Sequence, residues 1–230
     1  MYFRRPFQPM RTSFHLLGGL LLATACSQAP ETTTTTMDPH ADNPLLQPST
    51  LPFKAPAFDK ITDAHFRPAI LEGMKRHLAE VDAIANNPEA PTFENTIVAL
   101  EKSGQDLNRA SSVFYNLTGS ATNDTLQAIK ADLAPKLAAH QDAITLNDKL
   151  FARIKAVYDQ RAAMAMEPVD ARLLERYYTR FVRAGALLDA AGKEQWRKLN
   201  EEEANLTTRF EDNILKERTA SAILVEDVRS

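Results

Sequence analysis

Apolar side chains recur at spacings of three and four residues along most of the chain, and this periodicity constrains the fold more than any other feature. Such spacing places the apolar residues on one face of an α-helix. From Phe53 onward it predicts six successive helices, each of which buries one face. The sequence therefore predicts an all-α fold in which the helices pack against one another.

Capping residues and helix breakers give the expected boundaries of these helices. The predicted helices begin, in chain order, at Thr62, at Pro91-Thr92, at Thr122 or Asn123, at Asn147, at Pro168 and just after Gly192. The first ends at residues 86–88, where the sequence reads Asn-Asn-Pro. We expect a bend at Gly104, a kink at Pro135 and a stop at Gly192. The side chains that the last helix is expected to bury are Trp196, Leu199, Leu206, Phe210 and Ile214.

The end of the chain differs from the rest. Residues 222–225 read Ala-Ile-Leu-Val after a polar stretch, which predicts one short strand near the C-terminus. A single strand cannot satisfy its own backbone donors and acceptors. We therefore expect this sequence to be the front part of a longer protein.

The first 25 residues have the form of an export signal. Arg4, Arg5 and Arg11 precede an apolar run over residues 16–23, which is too short to span a bilayer. Small residues follow directly before Cys26, in a pattern that resembles the lipobox of bacterial lipoproteins. This predicts acylation of Cys26 and a periplasmic protein anchored to the outer membrane. The alternative is an ordinary signal peptide cleaved after Ala25, which would leave Cys26 an incidental thiol.

Residues 26–50 are predicted to form a flexible tether. They include five consecutive threonines at residues 32–36 and few apolar side chains. Such a segment buries too little surface to offset the entropy lost on ordering. The domain prediction is therefore a signal peptide over residues 1–25, the tether, and a helical region over residues 51–230.

Composition excludes several classes of function. The net charge of −3 and the pI near 6.0 give no electrostatic footprint for nucleic acid. The seven glycines form no phosphate-binding loop motif, so nucleotide binding has no support. Cys26 is the only cysteine, which excludes an internal disulfide and a cysteine-based zinc cluster.

No metal ligand or catalytic residue can be assigned from the sequence. The H-E-x-x-H spacing, which places two histidines and a base on one helix face, is absent. His65, His77 and His140 each stand alone on their stretch of helix, which is typical of surface or packing residues. The charge run at residues 201–203 is typical of a solvated helix face. The aromatic residues expected to belong to the core are Tyr177, Tyr178 and Phe181.

Seven short blocks nevertheless carry a resemblance to a known family. In chain order they read P-T-F-E-N-T-I at 91–97, A-L-E-K-S-G at 99–104, T-N-D at 122–124, L-N-D-K-L-F-A-R-I at 146–154, R-L-L-E-R-Y-Y at 172–178, F-V-R-A-G-A at 181–186 and L-N-E-E at 199–202. Together they resemble the N-terminal region of the thimet oligopeptidase and peptidyl-dipeptidase family of zinc metallopeptidases. The likeness is closest to the bacterial dipeptidyl carboxypeptidase branch, and it extends from about residue 44 to residue 230.

The resemblance implies the N-terminal half of a neurolysin-like helical peptidase, in which these helices form one wall of a substrate channel. It implies short peptides as substrates and a zinc ion held by a separate catalytic region. No position of this sequence matches the family's zinc motif or its general base. The roles of those residues therefore cannot be transferred to this chain.

Two hypotheses of different classes follow. In the first, the chain is the front part of an exported peptidyl-dipeptidase that acts only together with a zinc domain. In the second, it is a non-catalytic helical lipoprotein that serves as a binding or scaffold module. A wall built to face another half should expose a large apolar patch, whereas a self-sufficient module should cover it.

Overall fold

A computed structural model of the protein describes residues 42–221, except for the side chain of Thr219. Within this range the regular structure is helical, which confirms the predicted all-α class. The predicted signal peptide, Cys26 and the predicted strand at residues 222–225 lie outside the described residues.

The described helices follow one another closely. They are α1 (Asp63–Ala85), α2 (Ala99–Lys102), α3 (Gln105–Ser120), α4 (Asp124–Thr145), α5 (Asp148–Asp159), α6 (Pro168–Arg183) and α7 (Ala190–Ala220). A π-helical segment, Phe93–Val98, leads into α2, and short 3-10 turns occur at Pro52–Lys54 and Arg161–Ala163. No helix within residues 42–221 combines the length and the apolar character needed to cross a membrane.

The predicted starts are confirmed for five helical segments, including Phe93–Val98, where Thr92 caps the segment by accepting the N–H of Asn95 over 3.1 Å. Thr62 precedes α1, and its backbone N–H donates to Nδ1 of His65 over 3.0 Å. Asn123, one of two candidates, caps α4 by accepting the N–H of Leu126 over 2.8 Å. The N-cap of α5 is Asn147, and Pro168 is the first residue of α6. Helix α4 continues through Pro135.

The predicted second helix is broken rather than bent. The π-helical segment and α2 end at Lys102, and α3 starts after Gly104. Gly104 has a φ of 72°, in the left-handed region that glycine adopts without steric cost. Its N–H donates to Oε2 of Glu80 over 2.6 Å, so a side chain replaces the missing helical acceptor.

The predicted stop of the fifth helix at Gly192 is wrong. Helix α6 ends at Arg183, because Gly185 takes a φ of 89° and the N–H of Ala186 bonds back to the carbonyl of Phe181 over 3.0 Å. These are the marks of a Schellman C-cap. Gly192 instead lies in the first turn of α7, where its N–H donates to the capping carboxylate of Asp189 over 2.7 Å.

The core has two parts, and α1 runs through both. The N-terminal half of α1 packs against α3 and α4, where Phe66 and Phe114 meet with ring centroids 5.4 Å apart over the buried Leu133. The C-terminal half packs against α5, and the apolar cluster around Ile154 continues from there to Phe181 of α6. Each large apolar side chain buried in this way contributes about 1.5–3 kcal/mol.

The last residues of the predicted tether belong to this core. Leu45 and Leu46 are 1% and 3% exposed. The side-chain amide of Asn43 donates to the carbonyl of His65, and Nε of Arg109 donates to the carbonyl of Leu45 over 3.0 Å. A tether that reaches residue 50 is therefore too long, because two adjacent leucines at residues 45 and 46 bury enough apolar surface to hold the segment.

A buried arginine fixes the loop after α1. Arg153 of α5 is 7% exposed, and its Nη1 donates to the carbonyls of Asn87 and Glu89. Its Nη2 donates to Oδ1 of Asn95 over 2.9 Å. The guanidinium thus satisfies carbonyls of a loop that has no helical partners for them.

Candidate functional site

An open groove follows one face of α6 and continues toward α2 and α3. Its larger part is a cavity of about 770 Å³, and the adjoining part measures about 380 Å³. Glu101, Tyr177 and Arg180 line both parts, so the two cavities form one continuous surface depression. We call it the α6 groove.

A tyrosine and a carboxylate form the centre of the α6 groove. The hydroxyl of Tyr177 donates to Oε2 of Glu101 over 2.6 Å. Burial raises the pKa of Tyr177, and the hydrogen bond to Glu101 raises it further. The hydroxyl therefore stays protonated at neutral pH and holds the carboxylate in place.

The neighbouring aromatic residues are structural. Phe181 is 2% exposed and belongs to the core, as predicted. Tyr178 stacks on Tyr158 with ring centroids 3.8 Å apart. Tyr177 also packs against the core as predicted, but its half-buried ring brings the hydroxyl to the groove.

Two histidines that are isolated in the sequence meet in the fold. Nδ1 of His77, on α1, lies 3.1 Å from Nε2 of His140, on α4. Nε2 of His77 lies 3.2 Å from Oγ of Ser103, whose proton is donated to the carbonyl of Leu100 over 2.7 Å. That serine oxygen can then only accept a hydrogen bond from His77, so His77 carries its proton on Nε2. Its Nδ1 is therefore unprotonated and accepts the hydrogen bond that Nε2 of His140 donates.

This arrangement leaves one imidazole nitrogen unused. Nδ1 of His140 is buried and has no hydrogen-bond partner among the residues that the structure describes. Burial, and then the neighbouring His77, lower the pKa of His140 to about 4. Burial also lowers the pKa of His77, with Glu80 opposing the shift and Arg180 adding to it. Both rings are therefore neutral near pH 7.

The described residues do not fit a zinc site. Between residues 42 and 221, no three side chains of the metal-ligating types His, Cys, Asp and Glu come together. The paired histidines supply at most two ligands, whereas zinc in proteins takes three or four. The third helical histidine, His65, is occupied as an acceptor at the start of α1.

The predicted solvated face of α7 is confirmed, and its predicted buried face is not. Glu201, Glu202 and Glu203 are exposed. The predicted core residues Leu199, Leu206, Phe210 and Ile214 are 53%, 54%, 65% and 45% exposed, and Trp196 is half-buried. The four exposed residues recur at spacings of seven, four and four, so they form a single row about 22 Å long on one face of the helix.

Helix α7 is held by its other side, mainly through polar contacts. Lys193 is 5% exposed, donates to the carbonyl of Leu146 and pairs with Asp148. Asn200 donates to Oδ1 of Asp142 over 2.6 Å. The apolar row therefore faces away from the described helices, because polar anchors on α4 and α5 determine how the helix is turned.

Known proteins similar to this chain are peptidases. The chain is 44% identical to dipeptidyl carboxypeptidase of Escherichia coli (strain K12) over 186 residues, and 43% identical to the protein of the same name in Salmonella typhimurium over 185 residues. These alignments cover 81% and 80% of the chain. These similarities support the assignment of the chain to a peptidase family.

A more distant relative agrees with this assignment. Organellar oligopeptidase A of Arabidopsis thaliana is 25% identical over 175 residues, which is 76% of the chain. The chain spans 27% of the length of each dipeptidyl carboxypeptidase and 22% of the length of the oligopeptidase. No family model matches the chain.

Sequence reasoning missed the groove and the histidine pair for the same reason. His77 and His140 are 63 residues apart, and Glu101 and Tyr177 are 76 apart. Neither pair forms a local motif. The only signal in the sequence is that two of the family-like blocks, at residues 99–104 and 172–178, contain the two residues that meet in the groove.

Proposed function

We propose that this chain is part of a zinc metallopeptidase that releases dipeptides from the C-terminus of short peptides. The similarity to two dipeptidyl carboxypeptidases over about four-fifths of the chain carries the proposal. The described helices form a wall of the substrate channel. The zinc ion, its ligands and the general base belong to a part of the enzyme outside these helices.

The apolar row of α7 supports an assembly of this kind. Four large apolar side chains, each about half exposed, lie on one face of a 31-residue helix. Exposed apolar surface of this extent marks an interaction site. In the proposed enzyme, the catalytic part covers the row. A self-sufficient binding module would leave no such row uncovered.

We propose further that the enzyme is exported and anchored by a lipid on Cys26. The support is the sequence pattern of residues 1–26 alone. Metabolic labelling with an alkyne fatty acid tests this point, and Cys26→Ser is the matched variant. Label on the wild type and none on the variant is expected. Equal absence of label from both would leave an ordinary cleaved signal.

A dipeptide-release assay tests the peptidase proposal. Native protein is captured from membrane extract with an antibody raised against residues 53–220 and given short peptides with free or amidated C-termini. We expect release of C-terminal dipeptides from the free peptides, abolished by a chelator and restored by zinc. Captured protein that releases no dipeptide from either peptide would favour the alternative, a non-catalytic helical lipoprotein.

A further inference from the structure

Four arginines form a row along the α6 groove. Arg172, Arg176, Arg180 and Arg183 are exposed and line its larger cavity. Their spacing places them on one face of α6, over about 17 Å from first to last. An extended peptide covers that distance with about five residues. The row therefore has the dimensions of a peptide segment rather than of a single small anion.

Half of these guanidinium groups are free to bind a ligand. Arg172 pairs with Glu175 over 2.5 Å, and Arg180 donates to Oε1 of Gln141 over 3.1 Å. Arg176 and Arg183 have no hydrogen bond or ion pair with any residue between 42 and 221. They are the positions at which an incoming carboxylate meets no internal competitor.

The acidic residues of the groove cancel only half of this charge. Glu175 is paired with Arg172, and Glu101 accepts the hydroxyl of Tyr177. Four positive groups thus face two carboxylates that already have partners. A groove of this sign is notable in a chain whose net charge is −3.

A stabilising effect on α6 explains the positions of only some of these arginines. Arg180 and Arg183 lie in the last turn of α6, where cations interact favourably with the helix dipole. Arg172 and Arg176 lie earlier in the helix and gain nothing from it. Arg176 also gains no ion pair among the described residues, so its place on this face is explained by neither contribution.

We propose that the α6 groove binds the carboxylate groups of an extended peptide, with Arg176 and Arg183 as the contacting residues. The ligand is a peptide with acidic side chains or with a free C-terminal carboxylate. Guanidinium groups bind both through charge-assisted hydrogen bonds in a fork geometry. That this peptide is a substrate rests on the proposed function, whereas its binding to the groove does not.

Fluorescence anisotropy with four labelled pentapeptides tests the proposal on the full chain. The peptides carry either Glu or Gln at two positions, and each ends in a free carboxylate or an amide. We expect the neutral amide to bind at least tenfold more weakly than the peptide with Glu and a free C-terminus. The two intermediate peptides then show whether side chains or the terminus supply the carboxylate.

Charge-matched variants locate the site. Arg176→Gln/Arg183→Gln should weaken binding of the acidic peptide about tenfold. The control, Arg209→Gln/Arg218→Gln, removes two exposed arginines of α7 and should bind like the wild type. Equal weakening by both variants, or equal binding of all four peptides, would overturn the proposal. Binding requires no zinc and no activity, so a failed dipeptide-release assay leaves this result unaffected.

Discussion

The close approach of α1 and α3 at Gly73 gives a prediction whose sign follows from geometry. A Cβ added at Gly73 would lie 2.8 Å from Cα of Leu107 and 3.0 Å from its backbone nitrogen. Ordinary carbon contacts lie at about 3.5–4.0 Å. A backbone atom cannot rotate away, so Gly73→Ala must push the two helices apart.

Two opposing effects determine the magnitude. Overpacking of a tight core contact costs about 1–3 kcal/mol, and we take the upper half of that range because backbone is involved. Alanine in place of glycine inside a helix returns about 1 kcal/mol. We therefore expect Gly73→Ala to lower the free energy of unfolding by about 1–2 kcal/mol.

Gly119 provides the matched control. It lies in α3, and an added Cβ would meet nothing within 4 Å. Gly119→Ala makes the same chemical change without the contact. Because Gly119 lies in the last turn of α3, the gain in helix propensity is smaller than at Gly73, and the free energy of unfolding should rise by about 0.5 kcal/mol. Urea unfolding of both variants, with equal m-values, measures the difference. Equal free energies of unfolding for the Gly73→Ala and Gly119→Ala variants would refute the reasoning.

Three further predictions concern the described helices. Because the pKa of His140 lies below its unfolded value, its contribution to stability should be complete above about pH 6.5 and fall by about 3 kcal/mol toward pH 4; His140→Gln should flatten this part of the curve of unfolding free energy against pH. Arg153→Met should cost about 2–4 kcal/mol in urea unfolding, since it leaves the carbonyls of the loop after α1 without donors; a loss below 1 kcal/mol would contradict this. Leu206→Ser/Phe210→Ser should change stability by less than about 0.5 kcal/mol, because both side chains are exposed, yet it should abolish co-purification of this chain with the proposed catalytic part when the two are expressed as separate polypeptides.

The sequence predicted the helices well because their signals are local. Apolar periodicity and caps such as Asn123 and Asn147 act within one or two turns, so the starts of α1, α4, α5 and α6 follow from the chain alone. The interruption expected at Gly104 was placed correctly but is a break rather than a bend, and the end of α6 at Arg183 was misplaced. Both depend on a glycine that adopts the left-handed region, which composition does not reveal.

Burial was predicted less well because it depends on the neighbours of a helix. The row that includes Leu206 and Phe210 has the spacing of a core face, and it is exposed. Polar anchors such as Lys193 turn α7 the other way. Leu45 shows the opposite error, since it lies beside a Pro- and Thr-rich segment and is nonetheless buried.

The groove lay beyond sequence reasoning altogether. Its pairs join α2 with α6 and α1 with α4, and they depend on how helices pack. The resemblance pointed to a peptidase family, which the relatives support, without identifying any residue of a site. Only the packed helices bring Glu101 and Tyr177 to one surface depression.

The central claim, that this chain works as part of a larger peptidase, is tested most directly by the mass of the native protein. An immunoblot of membrane extract with the antibody against residues 53–220 measures it against the 25.6 kDa calculated for this sequence. Our account predicts a species, or a stable complex, several times heavier than 25.6 kDa. A single species near 25.6 kDa or slightly below, with no larger complex under native conditions, would contradict it.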